Sequence, residues 1–257
     1  EKNIMASQAN LPANIMDDIF ATAGEGVDYD TSELQIPFVR VIQALSPQVK
    51  KNDPAFIKNA SAGDVFNTVT GQYWEGEKGI HVVPCFQQTK YFEFVPRAEG
   101  GGFVGEVEIN NPDISKTQRV GASEILPNGN ELVKSDQHFC LLLGEDGMFQ
   151  PVIVDMKSTQ LKVSRRWKTQ IAMLKIKDPK GQLKTPALFA TVWSLKTTEE
   201  SNDKGSWYNW SVEMVKQVDD KSLFSEAISF RNSVKSGAAK AVEEDHGSDN
   251  ETEQVPF

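Results

Sequence analysis

Apolar residues fall into two kinds of pattern along this chain. Between Gln35 and about Val218 they form short runs rich in β-branched and aromatic residues, separated by Gly, Pro and Asn. That is the signature of strands. The runs are Val39-Arg40-Val41-Ile42, Asp64 to Asn67, Gly79 to Phe86, Lys90 to Val95, Gln137 to Leu143, Gln150 to Met156, Leu188 to Lys196 and Trp207 to Val215. Turns are expected at Thr70-Gly71-Gln72, at Leu126 to Asn130 and at Gly144 to Gly147. Gly100-Gly101-Gly102 is expected to break the sheet and open a flexible loop reaching about Ser123. Helical spacing occurs twice. Leu161, Trp167, Ile171, Met173 and Leu174 follow Ser158, which can cap a helix, and Pro179 lies just beyond; a second helix is expected from Ser222 to Val234, before Gly237.

Many antiparallel strands with one strong helix before the last pair predict a mainly β fold: an elaborated antiparallel barrel like the oligonucleotide-binding (OB) fold, with one or two helices and long insertions. The chain divides into an acidic arm (1–33, with one short helix from Ala13 to Phe20), the barrel core (34–218), a C-terminal helix (219–240) and an acidic tail (241–257). The tail holds six acidic residues, no Lys or Arg, and only Val242, Val255 and Phe257 as large apolar groups. Too little surface can be buried there to offset ordering entropy, so disorder is expected.

The 257 residues carry a formal charge of −9, which averages over strong segregation. Lys157 to Lys184 holds nine Lys or Arg against Asp178 alone, a net +8. Such a run neutralises phosphates and releases condensed counterions. Aromatic residues are interleaved with charge in Lys90-Tyr91-Phe92-Glu93-Phe94, in Trp207-Tyr208-Asn209-Trp210 and at Trp167. Rings on a sheet can stack unpaired bases while cations follow the backbone. The candidate nucleic-acid contacts are therefore Lys157, Lys162, Arg165, Arg166 and Lys168 for phosphates, and Tyr91, Trp167, Trp207 and Trp210 for bases.

Other chemistry finds little support. Cys85 and Cys140 match no zinc spacing and read as small core residues, and with three histidines no metal site or cofactor is expected. No catalytic residues, P-loop or dinucleotide glycine pattern is visible. One competing enzyme class is a magnesium-dependent restriction-type nuclease, from Asp113 and the strand-ending Asp155-Met156-Lys157.

The last residues, Glu253-Gln254-Val255-Pro256-Phe257, resemble the C-terminus of single-stranded DNA-binding proteins, in which an acidic stretch ends in a Pro-Phe tip. The resemblance implies that Val255, Pro256 and Phe257 recruit replication and recombination proteins. The core is similar to the large single-stranded DNA-binding proteins of tailed bacteriophages at Ser46 to Lys51, Gly63 to Asn67, Lys157 to Lys162, Ser164 to Trp167 and Asn202 to Trp207. It implies a non-enzymatic protein that coats unpaired DNA during replication, recombination and repair. A phage protein acting on a host polymerase is the third alternative. With no apolar run near the ~20 residues of a membrane span and no signal-peptide pattern, a cytoplasmic location is expected, the host's if the protein is viral. A homo-oligomer is compatible with this reading.

Overall fold

The structure is a computed structural model that describes residues 35–241, except positions 146, 204 and 240, together with 15, 18, 21 and 22. The expected helix Ala13 to Phe20 falls largely, and the acidic tail after 241 wholly, outside the described residues. So do Val255, Pro256 and Phe257.

A first small sheet joins β1 (Val39–Val41), β2 (Val65–Asn67) and β3 (Tyr73–Trp74) in that order. The main sheet is built on β4 (Ile80–Phe94), followed by β5 (Phe103–Val107), β6 (Gln118–Val120), β7 (Ser123–Ile125), β8 (Glu131–Leu143) and β9 (Phe149–Lys157). Helix α1 (Leu161–Met173) comes next, then a hairpin of β10 (Ile176–Lys177) and β11 (Leu183–Lys184). The chain returns to the sheet as β12 (Thr191–Asn202) and β13 (Gly205–Gln217), and closes with α2 (Lys221–Ser236). Pairing is antiparallel throughout the sheets, and the class is mainly β, as expected.

Five long strands set the spatial order β9-β8-β4-β12-β13. In chain order they are third, second, first, fourth and fifth, with α1 between the third and fourth. Among the described residues no strand pairing joins β9 to β13 into a closed barrel. Residues 37–76 lie across that opening instead. Phe38 bridges Ile153 in parallel, and the Ile153 amide donates to the Pro37 carbonyl at 2.9 Å. On the other side the Gln43 side chain imitates a strand: its Nε2 donates to the Tyr208 carbonyl and its Oε1 accepts from the Tyr208 amide, at 2.8 and 2.9 Å. The Thr197 amide donates to the Gly76 carbonyl. A Cβ on Gly76 would overlap the Gly63 carbonyl and the Thr197 hydroxyl, so only glycine lets these segments meet.

Both faces of this sheet are covered. Val82, Cys140, Leu142, Val152, Val154 and Met156 point inward with Trp167, Trp193, Leu195 and Trp210. The alternate residues Val83, Cys85, Phe139, Leu141 and Ile153 point outward, under Ile36, Phe38 and α2. Helix α2 supplies Leu223, Ala227, Phe230 and Val234, one stripe at helical spacing. Asp220 caps it by accepting from the Leu223 amide, and Gly237 ends it with φ 78°.

Three local expectations change. The two predicted strands Gly79 to Phe86 and Lys90 to Val95 are one strand, and the register shift between Pro84 and Phe86 leaves Cys85 as the extra residue of a bulge beside the proline. Residues after Gly102 are not one loop: they form β5, a 3-10 turn at Pro112–Lys116 and β6. Ser158 does not cap α1. It has φ 47° at the start of a 3-10 turn, and α1 begins after Gln160 with no side-chain cap. No helix among the described residues is long and apolar enough to cross a membrane.

Candidate nucleic-acid interface

Helix α1 is fastened to the sheet by a buried polar chain. The Gln87 side-chain amide lies 3.0 Å from Nδ1 of His138, and Nε2 of His138 lies 2.9 Å from the Ser164 hydroxyl. An amide Nε2 can only donate, so Nδ1 accepts and Nε2 carries the proton toward Ser164. The Ser164 hydroxyl in turn donates to Asp136 Oδ2 at 2.8 Å. Lys168 Nζ donates to the same oxygen at 2.5 Å, while the Thr89 hydroxyl donates to Oδ1 at 2.8 Å. The indole of Trp167 stacks on His138 with centroids 4.5 Å apart.

Charge states follow from these contacts. Burial pushes His138 down to about 3, against the pull of Asp136, so the imidazole is neutral. Burial alone would raise Asp136, but Lys168, Ser164 and Thr89 hold its carboxyl below the usual range. Although Ser, His and Asp stand in a row, the proton order is the reverse of a nucleophilic triad. Ser164 donates to the carboxylate, has His138 as its donor, and is fully buried.

Helical periodicity splits the basic run that this chain fastens. Ser164, Trp167 and Lys168 face the sheet, while Lys162, Arg165 and Arg166 face outward and are exposed. Neither Arg165 nor Arg166 has an acidic partner among the described residues. Lys162 Nζ donates to Glu200 Oε2 on β12 at 2.6 Å, and the same oxygen accepts from Trp207 Nε1 and Asn209 Nδ2, each at 3.1 Å. Asn209 also donates to the Thr159 carbonyl at 3.3 Å, which ties the β12–β13 hairpin to the start of α1. Burial would raise Glu200, but Lys162, Asn209 and Trp207 hold its carboxyl low. Lys162 and the half-buried Trp207 thus meet at Glu200, and Arg165 and Arg166, three and four residues on, continue the exposed helix face that Lys162 begins.

Other predicted contacts lie elsewhere. Trp167 is 0% exposed and Trp210 3% exposed, both within the core, so neither presents a ring face to a base. Lys168 is spent on Asp136. Lys157 Nζ lies 3.1 Å from Asp155, which also meets Arg40 at 3.5 Å, and stands over the Phe92 ring. Burial would raise Asp155, but Lys157 and Arg40 keep it low. Asp155 is therefore occupied by two cations, and Asp113 pairs with Lys116 in the 3-10 turn. Among the described residues no three His, Cys, Asp or Glu side chains gather as a metal-binding group. Tyr91 is half buried with Val107, Leu126, Leu132 and Ile114, in the small cluster of the sheet's far end.

Sequence reasoning missed Asp136 and His138 on β8, and Ser164 on α1, because neither strand alternation nor helical spacing distinguishes a buried polar residue from an exposed one. It also missed Glu200, an ordinary acidic residue until the hairpin brings it under Lys162.

The fold and this surface define a mainly antiparallel β protein that carries an exposed cationic helix pinned to its sheet. The model of the bacteriophage family described as Pam3 phage gp34-like protein matches residues 5–240, and the chain belongs to that family. No curated protein and no solved structure matches the chain.

Proposed function

We propose that this phage protein binds single-stranded DNA with little sequence preference, coats it during replication and recombination, and recruits partner proteins through Val255, Pro256 and Phe257. The observation that carries the proposal is the meeting of Lys162 and Trp207 at Glu200, with Arg165 and Arg166 continuing the exposed face of a helix that a buried network fixes. Phosphates meet cations there beside a partly exposed ring, the combination that single-strand binding uses. The third-second-first-fourth-fifth strand order, with its helix before the fourth strand, is also that of oligonucleotide-binding barrels and supports the same reading.

The test is a poly-dT titration followed by Trp fluorescence. Quenching at low salt, reversed at high salt and absent in Trp207→Phe, is expected. Replacing Arg165 and Arg166 together by Ala lowers the salt-dependence slope by about 1.4, since each single-strand phosphate contact contributes roughly 0.7. Removing the last three residues leaves oligonucleotide affinity within about twofold, as partner recruitment and DNA contact are separate functions in this reading. Failure of the parent protein to bind oligonucleotides at any salt concentration overturns the proposal.

A further inference from the structure

The hairpin that follows α1 is a built projection. β10 and β11 pair only with each other, with Ile176 opposite Lys184 and Lys177 opposite Leu183. Asp178 folds the tip: its Oδ1 accepts from the Lys180 and Gln182 amides at 2.8 and 2.9 Å, and Gly181 takes φ 78°. At the base, Lys175 donates to the Thr185 hydroxyl, and Lys184 pairs with Asp178 at 2.8 Å. These contacts hold the ribbon in one shape without a covering layer.

Its chemistry is sorted by face. Cross-strand partners share a side of a ribbon, so Lys175, Lys177, Leu183 and Thr185 lie together on one face, and all are exposed. Leu183 is 64% exposed, and Met173 at the end of α1 is 73% exposed. Lys177 and Lys180 have no acidic partner among the described residues. Apolar side chains left exposed among lysines are costly in water and useful against stacked bases flanked by phosphates.

We propose that this hairpin is a second nucleic-acid site, one that takes the double-stranded DNA next to an unpaired stretch. A two-stranded ribbon fits a major groove about 12 Å wide, and Lys175, Lys177 and Lys180 reach phosphates on its walls. Leu183 meets the edge or face of the first base pair. The hairpin continues from α1, so a strand leaving the duplex passes to Arg165 and Arg166. The inference rests on the single-strand reading for that path, but the duplex contact stands by itself.

The experiment compares three labelled DNAs by fluorescence anisotropy: dT30, a blunt 20-base-pair duplex, and the same duplex with a dT30 overhang. The parent protein is expected to bind the overhang substrate about tenfold more tightly than dT30. K177A/K180A and Leu183→Ser should each remove that preference while leaving dT30 affinity within about twofold. Equal affinity of the parent protein for dT30 and the overhang substrate overturns the hairpin site and leaves single-strand binding in place. Duplex binding that K177A/K180A abolishes, with no binding of dT30, supports the hairpin and sinks the single-strand reading. A variant that loses dT30 and duplex affinity alike overturns the separation of the two sites. If the same lysines are needed instead for sedimentation with phosphatidylserine vesicles, with duplex binding unchanged, the hairpin is a membrane contact and the proposal fails.

Discussion

His138 makes the fold sensitive to acid in a defined window. In the unfolded chain a histidine takes up a proton near pH 6.5, whereas in the fold burial holds His138 down to about 3. A depressed folded value means that stability is complete above pH 6.5 and is lost as pH falls toward 3, because only the unfolded state gains the proton. Each pH unit in that window costs about 1.4 kcal/mol, so at pH 4.5 the loss is about 2.7 kcal/mol. For a fold of this size that lowers Tm by roughly 5–11 °C. Asp136 adds little at pH 4.5 and above: its pKa is also lowered, so its stabilisation fades only as pH falls below the unfolded carboxylate value. The measurement is urea unfolding at pH 7.5, 6.5, 5.5 and 4.5 for the parent protein and for His138→Gln. Glutamine can accept from Gln87 and donate to Ser164 but cannot titrate, so the variant starts lower and runs flatter. Parallel pH profiles for the two proteins would refute the neutral, buried imidazole.

Three further outcomes follow from the packing and the surface. Trp167→Ala empties a fully buried site and should cost about 3–5 kcal/mol, a fall in Tm of roughly 6–20 °C; an unchanged Tm with lost DNA binding would return Trp167 to the surface. Glu200→Gln frees Lys162 and removes a negative charge beside Trp207. Oligonucleotide affinity at low salt should rise about two- to fivefold, the scale of one exposed ion pair, and weaker binding would contradict the assigned surface. Gly76→Ala forces a Cβ against Gly63 and Thr197 and should destabilise by about 1–3 kcal/mol, read as a lower urea midpoint; no change would mean that the seam between the small sheet and β12 is loose.

How far the sequence could be read depends on what each pattern reports. The long strands were legible because β-branched and aromatic runs break at Gly, Pro and Asn, and α2 was legible from its stripe and Gly237. The sidedness of the strands was not. Val82 to Phe86 and Phe139 to Leu143 are apolar throughout, because the inner face packs on Trp167 and Trp193 while the outer face packs on α2 and Phe38. A sheet buried twice has no alternation to betray which ring is inside. The crossing of residues 37–76 over the open edge was equally hidden, since it rests on single contacts such as Gln43 with Tyr208.

The run Ser164-Arg165-Arg166-Trp167-Lys168 shows why the candidate site was only half legible. As composition it is a block of three cations with an aromatic ring, and every member looks suited to a phosphate or a base. On a helix, successive side chains turn by about 100°, so positions 164, 167 and 168 share one side and 165 and 166 point away. The first set became the anchor: Ser164 and Lys168 on Asp136, Trp167 on His138. The second set remained available. In the proposed single-strand reading the cations depend on the anchor. Exposed arginines on a helix held loosely would lose entropy on meeting a phosphate, and a helix already fixed by the buried network would not carry that cost. Substitutions in the network should therefore weaken DNA binding without touching DNA, and Ser164→Ala, which leaves a buried His138 donor unpaired, is the smallest of them.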